Sequence, residues 1–142
     1  MKNDQELLSS MVKTTRMAET GLRAVLRCQI QPELGTVLQN QLHMNDSLEE
    51  EAKKLAKNRG WQLHKSNTAF QNMIERMTVL KLMGGNRTSR IADMVIQGNT
   101  QGMIKSTRDL NHDHGKDQQL RQLNRKLIDG EKKCIGQMTP FL

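Results

Sequence analysis

Residues 66–85 read SNTAFQNMIERMTVLKLMGG, and this connecting stretch decides how the rest of the chain folds. Its apolar residues recur every three or four positions, at Phe70, Met73, Ile74, Met77, Leu80 and Leu82. This spacing predicts a short helix over about 67–83, which Ser66 or Asn67 caps and Gly84-Gly85 ends. Because a connection with its own apolar face must bury that face, we expect the helix to lie across neighbouring helices, with Trp61 anchoring its start.

Four longer amphipathic segments flank this connection, two on each side. Their apolar spacing predicts helices over about 4–30, 32–59, 88–111 and 117–138. The residues expected to mark the boundaries are Asp4, Ile30, Pro32, Gly60, Thr88 or Ser89, Asp117 and Pro140. In the second helix, Glu49 precedes Lys53 and Glu50 precedes Lys54 by one helical turn, and these pairs indicate an outer, solvated face.

The lengths of the connections predict the topology. Short turns after the first and third long helices imply two antiparallel hairpins, and the long middle segment joins the hairpins through a crossover. We therefore predict a single all-α domain over residues 1–142, a ferritin-like four-helix bundle with a short helical crossover between the second and third long helices. Gly21, Gly98 and Gly102 indicate places where neighbouring helices approach closely.

The composition supports a helical core. Trp61, Phe70 and Phe141 are the aromatic residues, whereas Met occurs 10 times, and flexible Met side chains fill irregular gaps between helices. The net charge of +7 is scattered among acidic residues and lacks interleaved aromatic residues. We therefore expect solvated helix faces and disfavour binding to nucleic acid.

The sequence also carries expectations about location. The N-terminus lacks the apolar core of a signal peptide, and no apolar run approaches the ~20 residues that span a membrane. We therefore expect a cytoplasmic protein that does not enter a membrane. Cys28 and Cys134 do not make a disulfide framework, and we expect both to be reduced.

Three short motifs resemble the pattern of a known family. They are Thr20-Gly21-Leu22-Arg23, Gln31-Pro32-Glu33-Leu34 and Lys57-Asn58-Arg59-Gly60-Trp61, and their order resembles that of the spore coat protein F family. The stretch IADMVIQGNT, residues 91–100, is similar to the third helix of uncharacterised members of the broader ferritin-like group. The resemblance extends over about residues 15–138. It implies a ferritin-like bundle from a spore-forming bacterium and an association with the spore.

Ferritin-like bundles that bind two metal ions place a Glu on each of two helices and a Glu-x-x-His pair on each of the other two. The first helix of this chain offers Glu19, beside the apolar stripe. The nearest match on the second helix is Asn40-Gln41-Leu42-His43, in which an amide replaces the carboxylate. An amide is a poor substitute for a charged bridging ligand, and His43 shares a polar face that we expect to point to solvent.

The third and fourth helices match the metal-binding pattern no better. Gln97 or Asp93 is the inward candidate on the third helix, and neither belongs to a ligand pair. The fourth helix offers Glu131 and Cys134 with the correct spacing, but with Cys in place of His. A metal centre needs Glu19, Gln97, Glu131 and Cys134 to converge in the core. A buried, hydrogen-bonded Glu is the commoner arrangement, so we predict no metal ligands.

Other residues that suggest chemistry have simpler interpretations. The run His112-Asp113-His114 contains metal-ligand types, but its Asn and Gly neighbours are typical of a turn between helices. Cys134 lies in an apolar series, which favours a buried apolar role over a reactive thiol activated by the neighbouring lysines. Ser-His-Asp, P-loop and dinucleotide motifs are absent from the sequence. We therefore predict no catalytic residues and no cofactor.

The sequence as a whole predicts a non-catalytic structural or interaction protein of ferritin-like fold, related to the spore coat and carrying a degenerate metal site. Self-association as a homodimer, or contact with another protein, is the expected form of partnership. The alternative is a metal-binding ferritin-like protein or oxidoreductase in which Glu19, Glu131 and Cys134 form a residual metal site.

Overall fold

The computed structural model describes residues 3–63, 68–81, 87–113 and 115–142. These residues form five α-helices and a short terminal 3-10 helix, and no strand occurs among them. The α-helices are α1 (Asp4–Leu26), α2 (Pro32–Arg59), α3 (Thr68–Lys81), α4 (Arg87–Asn111) and α5 (Gln118–Met138), and the 3-10 helix covers Thr139–Phe141. The predicted all-α class is therefore confirmed.

The four long helices surround a common interior. The closest packing joins α1 to α2 and α4 to α5, and further contacts join α2 to α5 and α1 to α4. Ion pairs from Arg16 to Glu49 and from Arg23 to Asp46 show that α1 and α2 run antiparallel, because the partner's number falls as the arginine's number rises. The connecting helix α3 packs mainly against α1. No helix within the described ranges has both the length and the hydropathy needed to cross a bilayer.

Local signals explain several helix ends. Pro32 occupies the first turn of α2, and Gly60 adopts the left-handed conformation (φ 69°) that closes this helix. Asp117 caps α5 by accepting hydrogen bonds from the backbone N–H groups of Gln119 and Leu120. Arg59 contacts the same carboxylate at 2.8 Å, so the end of α2 is tied to the start of α5.

Three predicted boundaries differ from the structure. The N-cap of α1 is Asn3, not Asp4, because the Asn3 side chain accepts from the N–H of Glu6 and the Glu6 carboxylate accepts from the N–H of Asn3. This helix ends at Leu26 rather than near Ile30. The backbone of α4 is already helical at Arg87, so neither Thr88 nor Ser89 is its cap.

Parts of the connecting segment lie outside the description. Three features of the predicted helix lie outside the described residues: its cap at Ser66 or Asn67, its apolar residue Leu82 and its end at Gly84-Gly85. The side chains of Phe70, Met73 and Leu80 also lie outside them. His114 is also outside them. Trp61 is half-buried and packs against the apolar core at the end of α2, as expected for an anchor.

The apolar core is divided into two clusters along the bundle. The first apolar cluster consists of Leu7, Leu8, Met11, Val12, Leu48, Ala52, Leu55, Ala56, Leu120, Leu123 and Leu127. The second apolar cluster consists of Leu22, Val25, Leu34, Leu38, Ile91, Ala92 and Met138. Three of the long helices, α1, α2 and α5, contribute to both clusters and therefore pass through the region between them.

Buried polar side chains occupy the region between the two clusters. We call Glu19, Gln41, Asn45, Asn99 and Glu131 the polar layer, and each of them is less than one-tenth exposed. Glu19 lies between the two cluster segments of α1, Gln41 and Asn45 lie between those of α2, and Glu131 between those of α5. The bundle therefore contains a polar section between two apolar ends.

The glycines on α4 test how the helices pack around this layer. A Cβ atom at Gly98 would meet open space, whereas one at Gly102 would lie 3.4 Å from Cδ and Oε1 of Glu131. The predicted close approach is therefore correct at Gly102 and wrong at Gly98 and at Gly21, where a Cβ atom also meets nothing within 4 Å.

We expect Gly98→Ala to raise the free energy of unfolding by up to about 1 kcal/mol, because alanine favours the helix and meets no neighbour. Gly102→Ala should gain less, because the new methyl group lies 3.4 Å from the Glu131 carboxylate and takes up space that this buried group uses. Urea denaturation of both variants measures the difference. Equal stabilisation by the two substitutions would contradict the packing described at Gly102.

Candidate functional site

One side of the polar layer is a carboxylate pair between α1 and α2. Glu19 is 4 % exposed and makes a side-chain hydrogen bond with Glu49, and the proton in this bond belongs to Glu19. Burial, reinforced by Glu49 and Asp46, raises the pKa of Glu19 well above its usual range. Burial alone would also raise the pKa of Glu49, but hydrogen bonds from Glu19, Lys53 and Arg16 outweigh it and lower that pKa.

Cations surround this pair and fix its charge. Arg16 Nε and Lys53 Nζ each lie 2.9 Å from Oε1 of Glu49, and Arg23 lies 3.8 Å from Oε2 of Glu19. Glu49 is buried, so the prediction that its pair with Lys53 marks an outer face is wrong. The pair is therefore a neutral Glu19 beside an ionised Glu49 that has its own counter-charges.

The opposite side of the layer is Glu131 on α5. Its side chain is 2 % exposed and lies beneath Gly102 of α4, which leaves space for the carboxylate. Among the described residues, no hydrogen-bond donor and no cation contacts this carboxylate. Burial raises the pKa of Glu131 to about 7, so the group changes charge near neutral pH.

Several polar atoms of the layer have no hydrogen-bond partner in the described part of the chain. They are Oε1 of Glu19, Nε2 of Gln41, Oδ1 of Asn45 and Nδ2 of Asn99. Asn45 does use its Nδ2 to donate to the carbonyl oxygen of Gln41, at 2.9 Å. A buried polar atom without a partner costs about 1–3 kcal/mol, so this layer lowers the stability of the bundle.

A cavity of about 810 Å³ opens onto the polar layer between α1, α3 and α4. Glu131 and Asn99 line its inner side, and the glycines Gly21, Gly98 and Gly102 line it along α1 and α4. The volume is within the range of small-molecule sites in proteins. Because a Cβ atom at Gly21 or Gly98 would project into open space, the absence of side chains there contributes directly to the room.

The two ends of the cavity differ in character. Leu22, Ile74, Met94 and Val95 form an apolar end. Lys13, Lys105 and Arg108 lie at the other end, further along the antiparallel helices. Met17 and Met77 lie between them and are among the large apolar side chains that remain exposed. Apolar walls with a small number of buried polar groups are typical of a binding site.

The structure places the predicted metal candidates in separate environments. Gln97 and Asp93 are both exposed, and Gln97 Nε2 donates to Oδ1 of Asp93 at 3.0 Å, so the expectation that one of them points inward is wrong. Cys134 is buried beside Glu131, and burial together with the Glu131 charge raises its pKa to about 12. His43 is exposed, as predicted.

The remaining sequence candidates have structural roles where they are described. Asp113 accepts a hydrogen bond from the backbone N–H of Gly115 and lies 3.3 Å from Arg121, which fixes the turn between α4 and α5. Cys134 is buried, as expected of an apolar position, and Cys28 is half-buried. Both cysteines are free in this structure.

The donor set of the polar layer does not fit a two-metal centre. Within residues 3–63, 68–81, 87–113 and 115–142, no group of three or more His, Cys, Asp or Glu side chains is arranged to hold a metal ion. Amides stand on α2 and α4 where carboxylates or imidazoles are needed, and Glu19 keeps a proton that a metal would have to displace.

Neither the family models, nor the curated proteins, nor the solved structures include a match to this chain.

The sequence contained a signal for the polar layer that the apolar pattern alone overlooks. Buried positions of α2 alternate in steps of four and three residues, and the series is Leu34, Leu38, Gln41, Asn45, Leu48, Ala52 and Leu55. This is the spacing of a helix that faces a bundle core at every step. Gln41 and Asn45 continue the series without a break, which identifies them as core positions despite their polarity.

We expect the pH dependence of stability to depend on Glu131. Its pKa is higher in the folded chain than the ordinary 4.5, so its contribution to stability is complete below about pH 4.5 and is lost as the pH rises through about 7. Glu131→Gln, which stays uncharged, should remove up to about 3 kcal/mol of this fall.

Urea denaturation between pH 4.5 and 8 measures the effect, and Glu50→Gln, a change at an exposed position of α2, is the matched control. The two variants should diverge as the pH rises, with Glu131→Gln the more stable. Parallel curves for Glu131→Gln and the unmodified chain would show that Glu131 is hydrated.

Proposed function

We propose that this chain is a non-catalytic interaction protein on a ferritin-like four-helix frame, and that it acts by binding a molecule in the cavity between α1, α3 and α4. The observation that carries this proposal is the cavity itself, with its apolar walls and with buried Glu131 and Asn99 on its inner side. A cavity of this type favours binding over reaction, because the thiol of Cys134 beside Glu131 is buried and its pKa is raised to about 12, which keeps it in the unreactive protonated form.

The ferritin-like part of the proposal is supported by connectivity and by resemblance. Two hairpins, α1 with α2 and α4 with α5, are joined by a connection that carries helix α3, which is the ferritin-like order. The motifs around Gly21, Pro32 and Gly60 resemble the spore coat protein F family. An association with the spore, as a homodimer or beside another protein, is the cellular setting that this resemblance supports.

The rival proposal is a metal-binding ferritin-like protein or oxidoreductase. Its support is the presence of Glu19 and Glu131 on different helices of one polar layer. The mostly amide character of the remaining side chains in the layer argues against it.

Metal analysis of protein purified without chelator separates these proposals. We expect iron, manganese and zinc to be well below one ion per chain, and we expect Glu131→Ala to leave the metal content unchanged. Glu50→Ala, at an exposed position, is the control for losses during purification. Stoichiometric iron or manganese that disappears in Glu131→Ala and persists in Glu50→Ala would overturn the non-catalytic proposal in favour of its rival.

A further inference from the structure

We propose that the cavity binds a primary amine with an apolar body, its ammonium group against the carboxylate of Glu131 and its apolar part toward Met94 and Val95. This inference rests on the proposed binding function and names the class of ligand.

The inner side of the cavity presents the carboxylate of Glu131, to which no described residue donates a hydrogen bond. Asn99 also lines the cavity, and it carries an unpartnered donor at Nδ2. The two side chains are 2 % and 8 % exposed, so solvent covers little of either. An ammonium group carries three donors and a positive charge, and it therefore matches a buried carboxylate that has no other donor.

The shape of the cavity separates the polar and apolar parts of such a ligand. Gly102, above Glu131, lies about 12 Å along α4 from Met94, at the 1.5 Å rise of each helical residue. Leu22 of α1 and Ile74 of α3 border the same end as Met94. An alkyl chain that starts at Glu131 and extends toward Met94 is thus in contact with apolar side chains.

The cationic side chains at the opposite end of the cavity are a weaker anchor for a ligand than Glu131. Lys13 and Lys105 already interact with other groups, and Arg108 is exposed to solvent, where salt screens its charge. An ion pair at an exposed position adds little to the free energy of binding, whereas a buried carboxylate without a partner has a larger effect on it. This comparison favours an amine anchored at Glu131 over an anionic ligand anchored at the rim.

Between pH 6 and pH 8 the charge of Glu131 changes, whereas the buried titratable groups Glu19 and Cys134 stay neutral. Glu19, which faces the layer from α1, keeps its proton because burial and Glu49 raise its pKa. The thiol of Cys134 is neutral because its pKa is raised to about 12. Helix α2 contributes the uncharged amides of Gln41 and Asn45 to the polar layer. Helix α3 contributes Ile74, Met77 and Thr78 to the cavity, and these side chains are also uncharged.

Lys13, Lys105 and Arg108 are the described cationic side chains that line the cavity. Because burial raises the pKa of Glu131 to about 7, an ammonium ligand must select the ionised form. Its affinity should therefore rise about tenfold between pH 6 and pH 8.

Calorimetric titration with octylammonium, octanoate and octan-1-ol tests the ligand class on the full chain. We expect saturable binding of one octylammonium per chain, tighter than that of either comparator. Glu131→Gln should weaken octylammonium binding about 30-fold or more at pH 8 and abolish its pH dependence. Thermal denaturation verifies that this variant is folded.

A cavity-filling pair of variants tests the location. Gly98→Leu places a side chain in the cavity and should weaken octylammonium binding about tenfold or more, whereas Gly136→Leu, at an exposed glycine of α5 with open space around it, should not.

Each other outcome overturns the inference. Octanoate or octan-1-ol binding as tightly as octylammonium, an unchanged affinity in Glu131→Gln, or equal effects of Gly98→Leu and Gly136→Leu would each contradict it. Absence of saturable octylammonium binding would also refute the ligand class, while the metal content decides separately whether the chain is non-catalytic.

Discussion

The buried carboxylate of Glu131 is the constraint on which the rest of the interior depends. A carboxylate inside a helical bundle must be paired, protonated or given space. Here Gly102 supplies the space, and the neighbouring cavity supplies access. On the other side of the bundle, Glu19 meets the same constraint differently, by keeping a proton that it shares in a hydrogen bond to Glu49, which has Arg16 and Lys53 as counter-charges. One polar layer therefore contains one carboxylate that is neutralised internally and one that is left for an external partner.

The apolar ends of the bundle and the polar layer between them have different roles. The apolar clusters at either end bury leucine-rich faces and supply the hydrophobic free energy of folding. The polar layer between them has unpartnered atoms on α1, α2 and α4 and lowers stability. Proteins accept such costs at functional sites, where the polar groups recognise a molecule that completes their hydrogen bonds. The coincidence of the polar layer with the cavity beside α4 is the reason for locating function there.

Much of the fold could be predicted from the sequence because it depends on local and periodic signals. Apolar spacing, Pro32 and Gly60 predict the helices, since these features act through backbone geometry. Core polar residues were harder to predict. Gln41 and Asn45 occupy core positions that polarity assigns to the surface, and Glu49 has a lysine one turn away, which is typical of exposed pairs. The cavity depends on how three helices pack, and Gly98 and Gly21 indicated close contact although they border open space.

Glu131 carries a buried carboxylate that has no partner among the described residues, and the cavity makes this carboxylate available to a ligand. The most direct measurement is an NMR titration of the side-chain carboxyl carbon of Glu131, followed from pH 4 to pH 9 with and without octylammonium. The account predicts a pKa of about 7 in the free protein, because burial raises it, and a lower value when the ammonium group is bound. An ordinary pKa near 4.5 that does not change on addition of octylammonium would contradict the account.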